Sequence, residues 1–297
     1  MTHYQLVAKN KRRSFVIMTL FVAFITGAAY LMAEGFNYPL QFVGWALILS
    51  GFSSFFSFYF SDKVILTMSG AKEANRKEYF DFYTTTENIA RSQRMPMPKL
   101  YVIEDSAMNA FATGRDPEHA VVCATTGLLK RLNRGEIEGV IAHEMGHIKN
   151  YDIRLMSIVS VLVGFVSLLA DWMMRNSFYR KKNDDNNNQA QAIMTIIAIV
   201  LALLSPIVAQ LIQLAISRRR EFLADATSAS ITKNPEGLAR ALEKISQDRE
   251  PLEAANKATA HLYIADPLKN TKGAVASFKN LFNTHPPVKE RIAALRA

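Results

Sequence analysis

The chain of 297 residues has room for one or two domains, and an average hydrophobic content of 49% does not by itself mark a membrane protein. The formal net charge is +9, but the basic residues lie beside apolar runs and form no separate aromatic-dotted patch, which argues against nucleic acid and for a membrane surface. A single cysteine, Cys123, excludes an intrachain disulfide and fits a reducing compartment.

Met1 to Arg13 is short and basic, and the uncharged run Phe15 to Ala33 that follows is long enough, at roughly 28 Å of helix, to cross a bilayer. A second uncharged run, Tyr38 to Phe60, comes at once, so the pair reads as a retained hairpin and not as a cleaved leader. Gly44, Gly51 and several serines suit close helix packing in lipid. The basic N-terminus and the Lys/Arg-free link Glu34–Asn37 put both ends of this hairpin in the cytoplasm.

Ala71 to Arg94 is expected to be mostly helix, stopped by Met95-Pro96-Met97-Pro98. Leu100–Ile103 and Ala120–Thr125 read as short strands, and Ser106–Gly114 as turn and strand. Asn133 with Glu136 three residues on is a capping-box start for a helix from Arg134 to about Asn150. Leu155–Ala170 and Ala190–Ser217 are two further apolar segments, separated by a polar tract, Arg175–Gln191, expected to be loop. Arg175, Arg180, Lys181 and Lys182 would then lie outside, against the preference of basic residues, so partial embedding is the alternative to full spanning. The C-terminal part reads as short helices: Pro235 to Ser246 after the cap Asn234, a region near Ala254–Ile264, and Pro286 to the end.

The chemistry lies in His143-Glu144-Met145-Gly146-His147. On a helix the two histidines share one face a turn apart and can offer two imidazoles to one ion, with Glu144 placed to address a water beside it. A hydrolytic zinc takes three protein ligands and keeps a fourth position open. Glu221, in the run Glu221-Phe222-Leu223-Ala224-Asp225, is the third candidate, and Asp225 one turn later can hold the outer nitrogen of a ligand histidine. The histidines precede the third apolar segment and Glu221 follows the fourth, so a hairpin between them returns both to one membrane face. This is the thermolysin-like (gluzincin) arrangement, and the reaction it implies is peptide-bond hydrolysis with Glu144 as general base and no covalent intermediate.

The motifs resemble those of the M48 family of membrane metalloproteases over nearly the whole chain: Asn109–Gly114 (N-A-F-A-T-G), Thr126–Leu129 (T-G-L-L), Ala142–Ile148, Arg218–Asp225 (R-R-R-E-F-L-A-D), and Thr284–Pro287 (T-H-P-P) followed by Arg291-Ile292. The resemblance implies one zinc ion, a cytoplasmic active site and a role in membrane-protein quality control. It further implies that Asn109-Ala110-Phe111 is an edge where an extended substrate adds as a strand. It makes His285 a histidine that steadies the transition-state oxyanion. Asn150 and Asp152 are also family-like and read as structural.

The expectation is therefore a mainly α integral membrane protein with four apolar helical segments and a cytoplasmic gluzincin domain containing a small β-sheet. Its parts are an N-terminal hairpin (1–62), a protease part with the metal-binding helix (63–154), a second hairpin (155–216, with the polar loop 175–190) and a helical part with the third ligand (217–297). The implied setting is a bacterial inner membrane, with stress response as the physiological context, polypeptide substrates and no nucleic acid. A site-2-type intramembrane protease would bury the motif within a span, whereas Arg131, Arg134, Glu136, Lys149 and Arg154 flank it here. A prenyl-protein endopeptidase would share the motifs. A di-iron protein needs a second E-x-x-H, which the sequence lacks. A metal-binding chaperone or transporter without hydrolysis is the non-enzymatic alternative.

Overall fold

The computed structural model describes residues 3–36, 39–180, 218–255, 259–265 and 286–297. These are mostly helical, with one small mixed sheet. Helix α1 (His3–Phe36) packs against α2 (Gln41–Met68), and both pack against α6 (Asp152–Arg180). Between them in sequence lie β1 (Lys72–Glu73), α3 (Phe80–Ser92), β2 (Lys99–Ile103), β3 (Ala110–Gly114), β4 (Ala120–Thr125), α4 (Thr126–Arg131) and α5 (Arg134–Lys149). Helices α7 (Arg218–Thr232), α8 (Pro235–Gln247) and α9 (Val288–Arg296) complete the described elements.

The helix α2 is built inside out. Ser50, Ser54, Ser57 and Ser61, spaced one turn apart, are its buried face, while Trp45, Ile48, Leu49, Phe52 and Phe55 are exposed. Ser57 donates to the carbonyl of Ile158 on α6 at 3.2 Å, so small hydroxyl side chains make the helix–helix contact. In water this distribution would expose a large apolar surface at high cost; in lipid it is the expected one. Among the described residues α2 is the one helix long and apolar enough to cross a membrane. The first expected span, Phe15–Ala33, lies within α1, and the fourth, Ala190–Ser217, lies outside the described residues.

The sheet runs β1-β2-β4-β3, with β2 and β4 parallel and both outer pairs antiparallel. β3 is thus an edge strand. It lies against α5, which is sandwiched between the sheet and α7, α8 and α3. The expected capping box closes the start of α5: Asn133 accepts from the Glu136 N–H at 3.0 Å and Glu136 accepts from the Asn133 N–H at 2.9 Å. Gly139 lets α8 come close; a Cβ there would lie 2.6 Å from the Leu238 nitrogen.

Three expectations about elements are corrected. Ala71–Arg94 is not one helix: Lys72 and Glu73 pair with Val102 and Tyr101, the Ala74 N–H donates to the Leu100 carbonyl, and helix begins only at Phe80. Backbone pairing with β2 outcompetes local helix propensity there. The polar tract is helical at least as far as Arg180, since α6 continues without a break. The stretch near Ala254–Ile264 contains only a 3₁₀ turn, Ala260–Leu262, among its described residues, and its end pairs with β3 through the Ile264 N–H.

Candidate metal centre and active site

The structure brings His143, His147 and Glu221 together: one ligand atom from each lies within 4.8 Å of the others, and all three residues are buried. The two Nε2 atoms are 3.2 Å apart, and the Glu221 carboxylate lies 3.8 Å from His143 Nε2 and 3.5 Å from His147 Nε2. The helical turn between the histidines sets the first distance. Glu221 arrives on the first turn of α7, which packs along α5 because Gly146 leaves room for Ala224 and Thr227.

The outer face of each imidazole is held by a carboxylate. Asp225 Oδ1 lies 2.9 Å from His143 Nδ1, and Asp152 Oδ2 lies 3.1 Å from His147 Nδ1. A ring that donates Nδ1–H keeps its lone pair on Nε2. Two imidazole nitrogens and a carboxylate then converge on one buried point, a donor set that fits a cation, and N/O ligation of this kind suits zinc. The electrostatics point the same way. Burial opposes charge on His147, but Asp152, Glu221 and Glu144 outweigh it and lift its pKa to about 9.

Glu144 is buried beside the ligands. Burial, helped by Glu221, pushes its carboxyl up to about 7, while His147, Arg291 and a hydrogen bond from the Ala112 N–H pull against that rise.

Sequence reasoning missed two residues here. Arg291, fully buried on α9, donates Nε to Asp225 Oδ2 at 2.8 Å and Nη2 to Asp225 Oδ1 at 2.7 Å. Burial would raise the Asp225 pKa, but Arg291 and His143 overcome it and hold it at about 2. The sequence offers Arg291 only as part of the Arg291-Ile292 motif. Asp152, read as structural, instead contacts a candidate ligand; its spacing of five from His147 gave no helical signal because Tyr151 breaks the helix with φ of 59°.

The expected substrate edge is half open. Backbone groups alternate sides along a strand. The Asn109 carbonyl faces β4, accepting from Thr125, whereas Ala110 and Ala112 turn outward, toward Ile264 and Glu144. The Ile264 N–H donates to the Ala110 carbonyl at 3.0 Å, and the Asn109 side chain donates to the Ala265 carbonyl at 3.1 Å. Arg291 Nη1 donates to the Ile264 carbonyl at 3.1 Å. The chain's own segment therefore lies on the edge, near Glu144. Phe111 is turned into the core, its ring edge-on to Tyr263 at 5.1 Å. His285 lies outside the described residues.

Residues 80–297 match the sequence profile of Peptidase family M48. The chain belongs to this family. Among M48-like relatives it is 39% identical over 295 residues to a protease HtpX homolog of Dictyoglomus turgidum, covering 99% of this chain and 94% of that one. It is 40% identical over 301 residues to a protease HtpX homolog of Streptococcus uberis, covering 99% of both. The crystal structure of S. mikatae Ste24p shares the fold at a TM-score of 0.51 and 19% identity, over 98% of this chain and 67% of that one. As an M48 member the chain is a metalloprotease, with His143, His147 and Glu221 as its candidate metal site.

Proposed function

We propose that the protein is an integral membrane zinc endopeptidase that cleaves misfolded or damaged membrane proteins at the cytoplasmic face, as part of a stress response in a bacterial inner membrane. The observation that carries the chemistry is the convergence of two imidazole Nε2 atoms and Glu221, each imidazole backed by a carboxylate, next to a buried Glu144. Membrane residence rests on the outward apolar face of α2, and the cytoplasmic site on the basic N-terminus beside it.

In this reading His143, His147 and Glu221 hold one zinc ion, which when bound polarises the scissile carbonyl and acidifies water. Glu144 takes a proton from the attacking water as C–O forms and then delivers it to the amine nitrogen as C–N breaks. Asp225 and Asp152 keep the two imidazoles in the tautomer that presents Nε2. His285 remains the proposed support for the oxyanion. The substrate lies extended along β3 and takes over the backbone bonds made by Ile264: its N–H on the Ala110 carbonyl, its carbonyl on Arg291, with Asn109 clamping the next residue. Phe111 contributes by holding β3 against the core.

The test is cleavage of an unfolded membrane substrate by detergent-purified protein, with chelator, with zinc restored, and with Glu144→Gln. The reading expects one zinc per chain, activity abolished by chelator and recovered with zinc, and a Glu144→Gln protein that binds zinc but does not cleave. Cleavage that survives chelation would overturn it.

A further inference from the structure

We infer that Asn10, on the N-terminal helix, is a positioning residue for the metal centre, acting through Asp152 on His147. This rests on the metal-site reading above. In the run Lys9-Asn10-Lys11-Arg12-Arg13, Lys9 and Arg12 are exposed and the Lys11 ammonium lies over the Tyr151 ring, while Asn10 is 3% exposed. A buried amide is costly unless both of its hydrogens are used. Here Nδ2 donates to Asp152 Oδ1 at 2.7 Å and to the Asn150 carbonyl at 3.0 Å. Both partners are acceptors, so the amide must present its NH₂ to them.

The two acceptors are the two parts of one turn. Asn150 is the C-cap of α5, one turn after His147, and Tyr151 in the left-handed region leads from it into α6 at Asp152. The other oxygen of Asp152 meets His147 Nδ1. Arg220 Nη1 stands 3.5 Å from the same Asp152 Oδ1. Asn10 thus ties the end of the metal-binding helix to the carboxylate that orients its second histidine.

Its own position is set from the apolar part of α1. Ser14 donates to the Asn10 carbonyl at 3.0 Å, and Ile17 and Phe21 pack against Leu155, Ile158, Val159 and Leu162 of α6. The N-terminal helix is therefore part of the metal centre's support as well as an anchor. Loss of an outer partner of a metal-bound imidazole typically lowers metal affinity about 10–100-fold.

The experiment loads full-length, detergent-solubilised protein with zinc and follows its release to a chromophoric chelator. Asn10→Ala is expected to release zinc at least about tenfold faster than wild type, with kcat on a peptide lowered and KM unchanged, since Asn10 does not touch the substrate edge. Asn10→Asp keeps the size but turns an acceptor toward Asp152, and is expected to match or exceed that loss if Asn10→Ala fails to fold. Asn10→Gln, which retains the NH₂, should recover part of the wild-type rate. Lys9→Ala, exposed beside Asn10 on the same helix, should release zinc as wild type does. Wild-type release rates in both Asn10→Ala and Asn10→Asp overturn the inference, as does equal acceleration by Lys9→Ala. A wild-type protein that takes up no zinc overturns the metal-site reading itself, and the inference with it.

Discussion

Arg291 and Asp225 form a two-pronged ion pair, with nitrogen–oxygen distances of 2.8 and 2.7 Å, buried behind His143. The same guanidinium reaches the Ile264 carbonyl with Nη1 and lies 3.6 Å from Glu221. One side chain therefore connects the carboxylate behind His143, the third candidate ligand and the segment on the β3 edge.

Arg291→Leu strips Asp225 of its guanidinium and leaves the buried anion with the His143 imidazole. Breaking a buried pair from one side costs about 3–5 kcal/mol, so the expected result is a large drop in thermal midpoint and loss of bound zinc. Arg291→Lys keeps the charge but not the planar fork. It should fold while holding zinc more weakly, as measured by metal content after dialysis.

Glu144→Gln is expected to lower kcat by about 10²–10⁴-fold, the usual contribution of a general base. It also carries a pH signature in the metal-free protein. The folded carboxyl sits at about 7, above its ordinary value of 4.5, so the folded state keeps a proton that the unfolded chain releases. Stability from this group is greatest below 4.5 and declines as pH rises to 7. Chelator-treated wild type should thus lose thermal midpoint relative to Glu144→Gln across that window, and parallel curves would contradict a raised Glu144.

If substrate replaces the chain's own segment on β3, adding a non-cleavable peptide to the Glu144→Gln protein should speed hydrogen exchange at the Ile264 amide while the Ala110 and Ala112 region stays protected. Ile264→Pro removes the N–H that occupies the Ala110 carbonyl and is expected to lower KM severalfold. Unchanged Ile264 exchange at saturating peptide would mean that substrate binds elsewhere.

Gly139→Ala would drive a Cβ to 2.6 Å from the Leu238 nitrogen and 2.8 Å from its Cα, both backbone atoms that cannot swing aside. Over-packing of this kind costs about 1–3 kcal/mol. Denaturant titration should show that loss, and zinc release should quicken because α5 is displaced along with its histidines.

Local patterns were readable wherever one element carried the whole signal. The cap of α5, the strands β2 and β4, the start of α8 at Pro235 and the pairing of His143 with His147 all depend on spacing within a few residues. The sequence also marked Glu221 and Asp225, because their spacing of four puts both on one face of α7. Ala71–Tyr79 was not readable as non-helical, since its backbone is claimed by a strand that arrives some 25 residues later.

By itself, then, the sequence determined which side chains can bind a metal, which can act as base, and that apolar runs flank them. The tertiary structure decided what surrounds them. Asp152 of α6 and Arg291 of α9 meet the histidines, and Asn10 of α1 meets Asp152, only after those helices pack. No periodicity relates such residues, because their contacts depend on the approach of distant helices, and burial then makes each unmet hydrogen bond expensive enough to fix the arrangement.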